Sequence, residues 1–414
     1  MTRPRKTDLA LYGGPPVRPR PFPSWPRPTR TMRESLIRTL EHEQWGVGSE
    51  VVKRFERAFA RFHDSRFAIS TNSGTAALWV ALKAAGVRPG DEVIVPAYTF
   101  VATASAVLMV NAVPVFVDID RDTLNLDPSL LEDAVTERTR VIMPVHLAGS
   151  PAHMDRIGAV ARRHGISVIE DAAQAHGAEW KGRKVGAIGL GGVFSFQSSK
   201  NMTAGEGGAV VSDDEDFIGK CYAYHNVGRI KRGELHPEEI SEGQRFLGGN
   251  FRLSAFPAAL LEAQIEALPD DMKIRDGNAA VLDEEIGKIA GLYPQKHYPE
   301  ASRVSHHLYI FRYDRSQFND TSREEFIRAL NAEGIPAYAG YKPVYQEPLF
   351  VVDQDEYPWL KGKDFSRLSL PVTERISHEE AVWLRQNCLL GTKEDTGDIV
   401  EAIRKVAGYY GRDS

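Results

Sequence analysis

The feature that most constrains this chain is a regular alternation of helical stretches and short apolar runs between residues 67 and 212. The helical stretches have the apolar spacing of helices with one buried face, and they are Thr75–Ala85, Thr103–Asn111, Pro128–Val135 and Met154–His164. The apolar runs have the length of buried strands, and they are Phe67–Ser70, Glu92–Pro96, Pro114–Ile119, Val141–Val145, Ser167–Glu170, Gly192–Phe196 and Gly208–Ser212. This alternation predicts an α/β fold with a mostly parallel sheet that helices cover on both faces.

The segments on either side of this region predict a chain of three parts. Residues 1–30 are rich in proline, which fixes φ and removes a hydrogen-bond donor. We expect this arm to lie extended across a surface rather than to form a core element. Residues 31–269 are predicted to form a large domain, and residues 270–414 a smaller α+β domain.

Several local patterns refine this division. Residues 31–63 predict helices that Gly46 and Gly48 interrupt. Residues 229–249 are polar and contain glycine, which predicts a long functional or mobile loop. A long helix is predicted from Ala255 to about Glu284 with a break near Pro269, and separate strand and helix signals follow at Leu308–Tyr313, Arg323–Glu333 and Glu379–Leu390.

Composition argues against several classes of function. The formal net charge of −5 gives no electrostatic basis for binding nucleic acid or an anionic membrane. Cys221 and Cys388 form no CxxC pair, and the histidines form neither HxxxH nor HExxH, so we predict no disulfide framework and no metal site. Prolines follow the basic N-terminus, unlike in a signal peptide, and no apolar run reaches the length of a membrane span. We expect a cytoplasmic protein.

An anion-binding turn is predicted where the first strand meets the next helix. Ser73–Gly74–Thr75 places a glycine and a hydroxyl beside the unpaired amides of a helix start, which can hold an anion. A serine at this place can instead be an ordinary helix cap. The turn is not a P-loop, because GxxxxGKS/T does not occur. The glycines between residues 189 and 192 precede a strand, so they do not form a dinucleotide fingerprint.

Two further motifs follow strands of the predicted sheet. One strand ends in Glu170 and Asp171, and a carboxylate there lies where parallel sheets bind ligands, although helix capping is an alternative role for Asp171. A later strand leads to Lys200, among serines and glycines. Most lysines are solvated, but these surroundings can exclude water from the amine, which lowers its pKa and keeps it nucleophilic.

These three motifs together match the needs of one cofactor. Pyridoxal 5′-phosphate (PLP) requires a phosphate-binding turn, a lysine that forms a Schiff base, and a carboxylate that keeps a proton on the pyridine nitrogen. The turn at Gly74, the amine of Lys200 and the carboxylate of Asp171 supply one requirement each. The sequence therefore predicts a PLP enzyme.

The chain resembles the DegT/StrS-type sugar aminotransferases over nearly its whole length. The motifs that carry this resemblance are Ser73–Gly74–Thr75, Pro96–Ala97–Tyr98–Thr99–Phe100, Pro144–Val145–His146, Glu170–Asp171–Ala172–Ala173–Gln174, Phe194–Ser195–Phe196 with Lys200, and Glu206–Gly207–Gly208. The resemblance implies a fold-type I PLP transferase, with a seven-stranded, mostly parallel sheet in the large domain and a smaller α+β domain at the C-terminus.

The resemblance implies roles for four residues around the cofactor ring. Lys200 would carry PLP as a Schiff base and act as general base and acid, and Asp171 would pair with the pyridinium nitrogen. Gln174 would lie beside the 3-hydroxyl group, and Phe100 would stack on the ring, although an aromatic beside a strand is often core. Some relatives carry histidine in place of this lysine and are dehydratases, so Lys200 indicates transamination.

The resemblance also implies a set of phosphate contacts and an oligomeric state. Ser73, Gly74, Thr75 and Ser195 would surround the phosphate. Asn250 matches a position that reaches the phosphate from the neighbouring subunit, although a turn role is its alternative. The chain would therefore be a homodimer with active sites at the interface.

The substrate is open between branches of the family. The stretches Gly13–Arg18 and Tyr341–Tyr345 are similar to the aminocyclitol branch, whose members aminate scyllo-inosose-type ketones in secondary metabolism with glutamine or glutamate as donor. Met202–Glu206 is similar to 3-amino-5-hydroxybenzoate synthase, an aromatising relative. A nucleotide-sugar acceptor and a PLP-binding regulatory homologue are further alternatives. The candidate substrate contacts, for which a structural role is the alternative, are His176, His225, Arg229, His306, His307 and Tyr341.

Overall fold

The computed structural model describes residues 8–231, 240–244, 246–351 and 355–411. In chain order, its first nine strands are β1 (Phe67–Thr71), β2 (Glu92–Pro96), β3 (Val113–Val117), β4 (Thr139–Ile142), β5 (Ser167–Asp171), β6 (Glu179–Trp180), β7 (Arg183–Lys184), β8 (Gly191–Ser195) and β9 (Gly208–Ser212). The strands β6 and β7 form a separate hairpin. The other seven form a central sheet in the order β1-β9-β8-β5-β4-β2-β3, which confirms the predicted α/β class.

The central sheet is parallel except at β9. This strand pairs antiparallel with β1 and β8, whereas β8, β5, β4, β2 and β3 pair parallel in succession. Because two antiparallel pairings restore the direction, β1 runs the same way as β5 and β8. The carboxyl ends of these three strands therefore meet at one edge of the sheet, which is where parallel sheets bind ligands.

Helices cover both faces of the central sheet. In chain order they are α1 (Arg30–His42), α2 (Glu50–Phe62), α3 (Gly74–Ala84), α4 (Ala102–Met109), α5 (Leu131–Ala134), α6 (Met154–His164), α7 (Glu215–His225), α8 (Ala255–Ile265) and α9 (Leu268–Ile286). On one face α2, α6 and α8 bury apolar side chains that include Phe59 and Phe194. On the other face α3, α4 and α7 pack in a second core that includes Leu78 and Phe217.

The region predicted as a loop at residues 229–249 has a different structure. It contains a hairpin of β10 (Arg229–Lys231) and β11 (Ile240–Gln244), and residues 232–239 and 245 lie outside the described residues. The prediction of a loop was wrong for the flanks because short polar strands carry no apolar alternation to mark them. The helix predicted from Ala255 is divided into α8 and α9 just before Pro269, as expected.

The C-terminal region has its own sheet and core. Its strands are β12 (Leu292–Pro294), β13 (Leu308–Tyr313), β14 (Ala337–Tyr338) and β15 (Ala381–Arg385), paired antiparallel in the order β12-β13-β15-β14. Its helices are α10 (Arg323–Ala332), α11 (Pro371–Arg375) and α12 (Lys393–Tyr410). Among the helices in the described ranges, none has both the length and the apolar composition needed to cross a membrane.

The domain boundary predicted at residue 270 falls inside α9, and it remains a prediction. The chain after this boundary does not pack only with itself. Phe116 on the edge strand β3 contacts Tyr345, Phe350 and Phe365, so part of the C-terminal region covers the edge of the central sheet.

The N-terminal arm is anchored more firmly than its proline content predicts. Leu9 is fully buried in the C-terminal core, so the expectation that the arm forms no core element was wrong at this position. The backbone N–H groups of Ala10 and Val17 donate to the carboxylate of Glu333, at 2.9 and 3.0 Å. Arg18 is buried and forms an ion pair with Asp395 at 2.7 Å. These contacts anchor the first part of the arm on the C-terminal region.

Candidate active site

A cavity of about 800 Å³ opens where the carboxyl ends of β1, β5 and β8 meet. The central sheet supplies one side of it, which we call the sheet edge and which consists of Ser73, Gly74, Thr75, Asp171, Ser195 and Lys200. The C-terminal region supplies another side, which we call the C-terminal wall and which consists of Tyr338, Tyr341, Trp383, Arg385, Gln386 and Asn387. The structure thus brings the three predicted motifs together in one cavity, of a size typical of small-molecule sites.

Lys200 lies in the turn after β8, and its side chain is buried. Its backbone N–H donates to the carbonyl of Gln197 at 2.9 Å, and its own carbonyl accepts from the indole N–H of Trp25 at 3.0 Å. Burial lowers the pKa of the Lys200 amine to about 8, although the negative charge of Asp171 acts in the opposite direction. An amine with this pKa is partly neutral near pH 7, so it can act as a nucleophile or a base.

Asp171 is the last residue of β5, and its carboxylate is buried at the cavity. One carboxylate oxygen accepts from Oγ1 of Thr103 at 2.8 Å, and the other accepts from the backbone N–H of Ala173 at 3.2 Å. Burial raises the pKa of this carboxyl, whereas these hydrogen bonds and the positive charge of Lys200 lower it. A cation held beside Asp171 would therefore stabilise the ionised form.

The neighbouring carboxylate, Glu170, has a structural role in the same strand. Its side chain contacts Nε2 of His146 at 3.0 Å and accepts backbone N–H groups from Gly186, Ile188 and Gly189 at 2.7 to 2.8 Å. These contacts lower the pKa of Glu170 against the effect of burial. Because successive side chains of a strand point to opposite faces, Glu170 fixes the loop before β8 while Asp171 lines the cavity.

The turn at the start of α3 caps the helix, and it also has the features of the predicted anion-binding turn. The Oγ atom of Ser73 caps the helix by accepting the N–H of Ala76 at 3.1 Å. A Cβ atom at Gly74 would lie 2.7 Å from Cβ of Ser195, so only glycine allows the end of β8 to approach this closely. The first-turn amides of a helix have no intrahelical acceptor, and here the hydroxyls of Thr75 and Ser195 lie beside them at the cavity. The arrangement has the features that suit the binding of an anion.

An aromatic side chain and an amide complete this part of the cavity. Phe100 is 52% exposed and lines the cavity, so it is not a core residue in this chain. The side-chain carbonyl of Gln174 accepts the N–H of Ala148 at 2.7 Å, and its NH2 group donates to Oη of Tyr341 at 3.1 Å. These two hydrogen bonds fix the orientation of the Gln174 amide.

Two of the six candidate substrate contacts, His307 and Tyr341, line the cavity, whereas His176 and His306 do not. His176 lies between Phe194 and Phe196, with ring centroids 5.5 and 5.7 Å away, and burial lowers its pKa to about 3. The ring is enclosed and does not line the cavity, so the prediction that His176 contacts the substrate was wrong. His306 lines a separate small cavity, and burial lowers its pKa to about 3 as well.

The other two candidates, His225 and Arg229, lie beside Asn250 and do not line the cavity. The backbone N–H of Phe251 donates to the carbonyl of His225 at 3.0 Å, and the N–H of Arg229 donates to that of Asn226 at 3.1 Å. Asn226 also forms an isolated bridge with Asn250. His225, Arg229 and Asn250 thus lie close together, but His225 is buried with its Nδ1 2.6 Å from the carbonyl of Tyr222. The roles predicted for Arg229 and Asn250 stay predictions.

Several residues at the cavity were not predicted from the sequence. Trp25 comes from the N-terminal arm, and all of the C-terminal wall except Tyr341 was missed. These residues lie far along the chain from Lys200, and no local motif marks them. Thr103 was also missed, although its spacing from Thr99 is a signal that the sequence contains. It follows Thr99 by four residues at the start of a helix, and the two hydroxyls lie 2.9 Å apart.

Comparison with known protein families gives a match over most of the chain. Residues 28–404 match the DegT/DnrJ/EryC1/StrS aminotransferase family. The chain belongs to this family. Members of the DegT/DnrJ/EryC1/StrS family are PLP-dependent enzymes, so this protein is a PLP-dependent aminotransferase of the sugar and cyclitol class.

Curated relatives in this family are similar over nearly their full length. The L-glutamine:2-deoxy-scyllo-inosose aminotransferase of Micromonospora echinospora is 39% identical over 415 residues, covering 97% of this chain and 98% of the relative. A putative L-glutamine:3-amino-2,3-dideoxy-scyllo-inosose aminotransferase of Streptoalloteichus tenebrarius is 38% identical over 412 residues, with 97% and 98% covered.

Solved structures of the family confirm the fold. A crystal structure of 3-amino-5-hydroxybenzoic acid synthase is 36% identical and superposes with a TM-score of 0.82, covering 93% of this chain and 98% of that one. An aminotransferase from Psychrobacter cryohalolentis is 33% identical with a TM-score of 0.83 and the same coverage.

Proposed function

We propose that this protein transfers the amino group of L-glutamine to a keto-cyclitol of the scyllo-inosose type, with Lys200 and Asp171 as its catalytic residues. The observation that carries the proposal is the meeting of a buried lysine and a buried carboxylate beside an anion-binding helix start, in one cavity. The names of the relatives from Micromonospora echinospora and Streptoalloteichus tenebrarius support the choice of donor and acceptor.

The residues of the sheet edge fit PLP in charge and in shape. The helix start at Gly74, with the hydroxyls of Thr75 and Ser195, suits a phosphate. Asp171 suits a protonated ring nitrogen, because a cation there would offset the burial of its carboxylate. PLP, when bound, withdraws electrons from the carbon that carries the amino group, which makes the proton on that carbon removable.

The protein supplies proton transfer and orientation to this chemistry. Lys200 Nζ, with its pKa lowered to about 8, takes the proton from the donor's α-carbon and gives it to the cofactor within the first half-reaction; in the second half it moves a proton in the opposite direction, from the cofactor to the former ketone carbon. Asp171 keeps a proton on the ring nitrogen, and Thr103 holds the carboxylate of Asp171 in place through its 2.8 Å hydrogen bond. Phe100 lines the cavity and offers an aromatic face on which the cofactor ring would stack.

We propose that the protein acts as a homodimer in which Asn250 and Arg229 reach the partner's cavity, whereas His225 is buried against the carbonyl of Tyr222 and does not. Exposed apolar side chains support this, since large exposed patches commonly mark interfaces, and they include Ile37, Leu40, Trp45 and Leu247. Mixing a Lys200→Ala protein with an Asn250→Ala protein tests the arrangement, because one site of each mixed dimer would be intact and regain activity. A cytoplasmic location remains a prediction, supported by two buried free cysteines.

The reaction itself is tested with purified protein, PLP, L-glutamine and 2-deoxy-scyllo-inosose. We expect an amine product with the mass of the aminocyclitol, formed together with the oxo-acid of glutamine. The similarity to 3-amino-5-hydroxybenzoic acid synthase favours an aromatising elimination as the second candidate. Glutamine-dependent conversion of the cofactor without any amination of the cyclitol would contradict the proposed acceptor, whereas no conversion of the cofactor by glutamine would leave the aromatising elimination.

A further inference from the structure

Gln386 in the C-terminal wall has an amide whose orientation is fixed from behind. Its side-chain carbonyl accepts two hydrogen bonds from Arg275, from Nε at 3.1 Å and from Nη2 at 2.7 Å. A guanidinium group has only donors, so the carbonyl oxygen must face Arg275 and the NH2 group must face away from it. Gln386 therefore presents a fixed hydrogen-bond donor on the side away from α9.

This donor has no acceptor among the residues that the structure describes. The Nε2 atom of Gln386 is buried without a hydrogen-bond partner, in a residue that lines the cavity. Buried donors are nearly always paired in folded proteins, and an unpaired one raises the free energy of the native state. An unpaired donor in a residue that lines a cavity indicates that a ligand supplies the missing acceptor.

Arg275 behind Gln386 is a cation that forms no ion pair within the described part of the chain. It is fully buried, and among the described residues no carboxylate lies within ion-pair distance of it, although Asp271 and Asp276 are near enough to act on its charge. The nearest acidic groups pair elsewhere, because Asp271 binds Arg27 at 2.6 Å and Asp276 binds Arg303 at 3.0 Å. Burial lowers the pKa of Arg275 to about 10, so it stays protonated at neutral pH. A buried positive charge favours an anion in the adjoining cavity.

The position of this pair relative to Lys200 limits what the anion can be. The ring of Trp25 lies 5.6 Å from the guanidinium of Arg275, and its N–H donates to the Lys200 carbonyl. One side chain thus separates the buried cation from the lysine that serves the reacting carbon. Arg385, the residue before Gln386, lines the cavity itself, whereas Arg275 lies behind Gln386. An anionic group bound here would therefore share the cavity with Lys200.

We propose that Gln386, oriented by Arg275 and flanked by Arg385, binds the α-carboxylate of the amino donor and so selects α-amino acids over neutral amines. This inference rests on the proposed aminotransferase function. It names a specificity residue for the first half-reaction, in which the amino donor reacts. The keto-cyclitol acceptor has no carboxylate, so the same contact contributes nothing specific to the second half. The two halves of the reaction should therefore respond differently when Gln386 is changed.

The test compares two non-reacting probes by calorimetry on the PLP-loaded protein. Glutaramate is glutamine without its amino group, and glutaramide is the neutral diamide of the same shape. We expect wild-type protein to bind glutaramate at least tenfold more tightly than glutaramide, because hydrogen bonds to charged acceptors are the stronger ones. Equal affinity for the two probes in wild-type protein would overturn the proposal without any variant.

The variant Gln386→Glu sharpens the test. Its carboxylate can still accept from Arg275, so the fold should be retained, but it removes the donor and adds a negative charge. We expect about a tenfold or greater loss of glutaramate affinity with little change for glutaramide. Gln346→Glu is the matched control, because Gln346 is exposed, bonds to His378 and does not line the cavity. It should leave both affinities unchanged.

Single-turnover measurements give a second readout and separate the two proposals. In Gln386→Glu, conversion of the cofactor by L-glutamine should slow, while its regeneration by 2-deoxy-scyllo-inosose keeps the wild-type rate. Equal slowing of both halves, or no slowing of either, would overturn the carboxylate assignment. Wild-type protein whose cofactor is not converted by L-glutamine would instead refute the proposed function.

Discussion

The sheet edge and the C-terminal wall line the same cavity, yet they are built in different ways. The sheet edge collects short motifs that each follow a strand, so the parallel sheet alone brings Gly74, Asp171 and Lys200 together. The C-terminal wall is placed at the cavity by long-range packing, which includes the pairing of β13 with β15 and a contact of Asn387 with the N-terminal arm. We infer that the sheet edge carries the chemistry common to the family, whereas the wall selects the substrate.

The largest expected effect that tests this division is at the sheet edge. Asp171→Asn keeps the shape and the hydrogen bond from Thr103 but cannot hold a charged ring nitrogen. We expect the turnover number to fall about 100-fold or more in both half-reactions, since removing a single preorganised electrostatic contact commonly has this effect. Rapid mixing with L-glutamine and then with the ketone measures each half. A fall in the rate of only one half-reaction would contradict a role of Asp171 in both.

A pH dependence is expected next, and it is specific to Lys200. Because burial lowers the pKa of its amine to about 8, the protein without cofactor should react with PLP half-maximally near pH 8. Below that pH the amine becomes protonated, and the rate should fall about tenfold per pH unit. Exposed lysines, with their ordinary pKa near 10.5, would give a curve displaced to higher pH. Absorbance of the lysine-bound cofactor follows the reaction.

Thr103→Val should have a smaller effect. It removes the 2.8 Å hydrogen bond to Asp171 while leaving a side chain of nearly the same shape. We expect about a tenfold fall in turnover in both half-reactions, which corresponds to one hydrogen bond to a charged group. Thr123→Val, at a threonine outside the cavity, is the control and should retain wild-type turnover. A Thr103→Val protein with wild-type rates would show that Asp171 needs no such support.

The smallest expected effect concerns Trp25, which connects the two regions. Trp25→Phe keeps an aromatic ring but loses the N–H that donates to the Lys200 carbonyl at 3.0 Å. We expect about a threefold fall in turnover with the thermal stability almost unchanged, because a neutral hydrogen bond contributes little on balance. Steady-state kinetics with L-glutamine and the ketone, together with a melting curve, measures both quantities. A large fall in turnover would mean that the arm fixes Lys200 more strongly than this.

The difference between the two regions also explains which parts of the fold and of the site could be predicted from the sequence. The seven strands and the meeting of Gly74, Asp171 and Lys200 were predicted, because apolar periodicity marks each strand and parallel order places the ends of strands together. Gln386 and Trp25 could not be predicted, since their position depends on long-range packing that no local pattern records. His176 was predicted at the substrate for its chemistry, but aromatic packing around it determines its place.

The central claim is that Lys200 binds the cofactor covalently, and reduction followed by peptide mapping tests it most directly. Purified protein loaded with PLP is treated with borohydride, digested and analysed by mass spectrometry. The structure predicts a single peptide carrying the reduced cofactor, with the added mass on Lys200. The added mass on any other lysine, or a Lys200→Ala protein that still retains a reducible link, would contradict the claim.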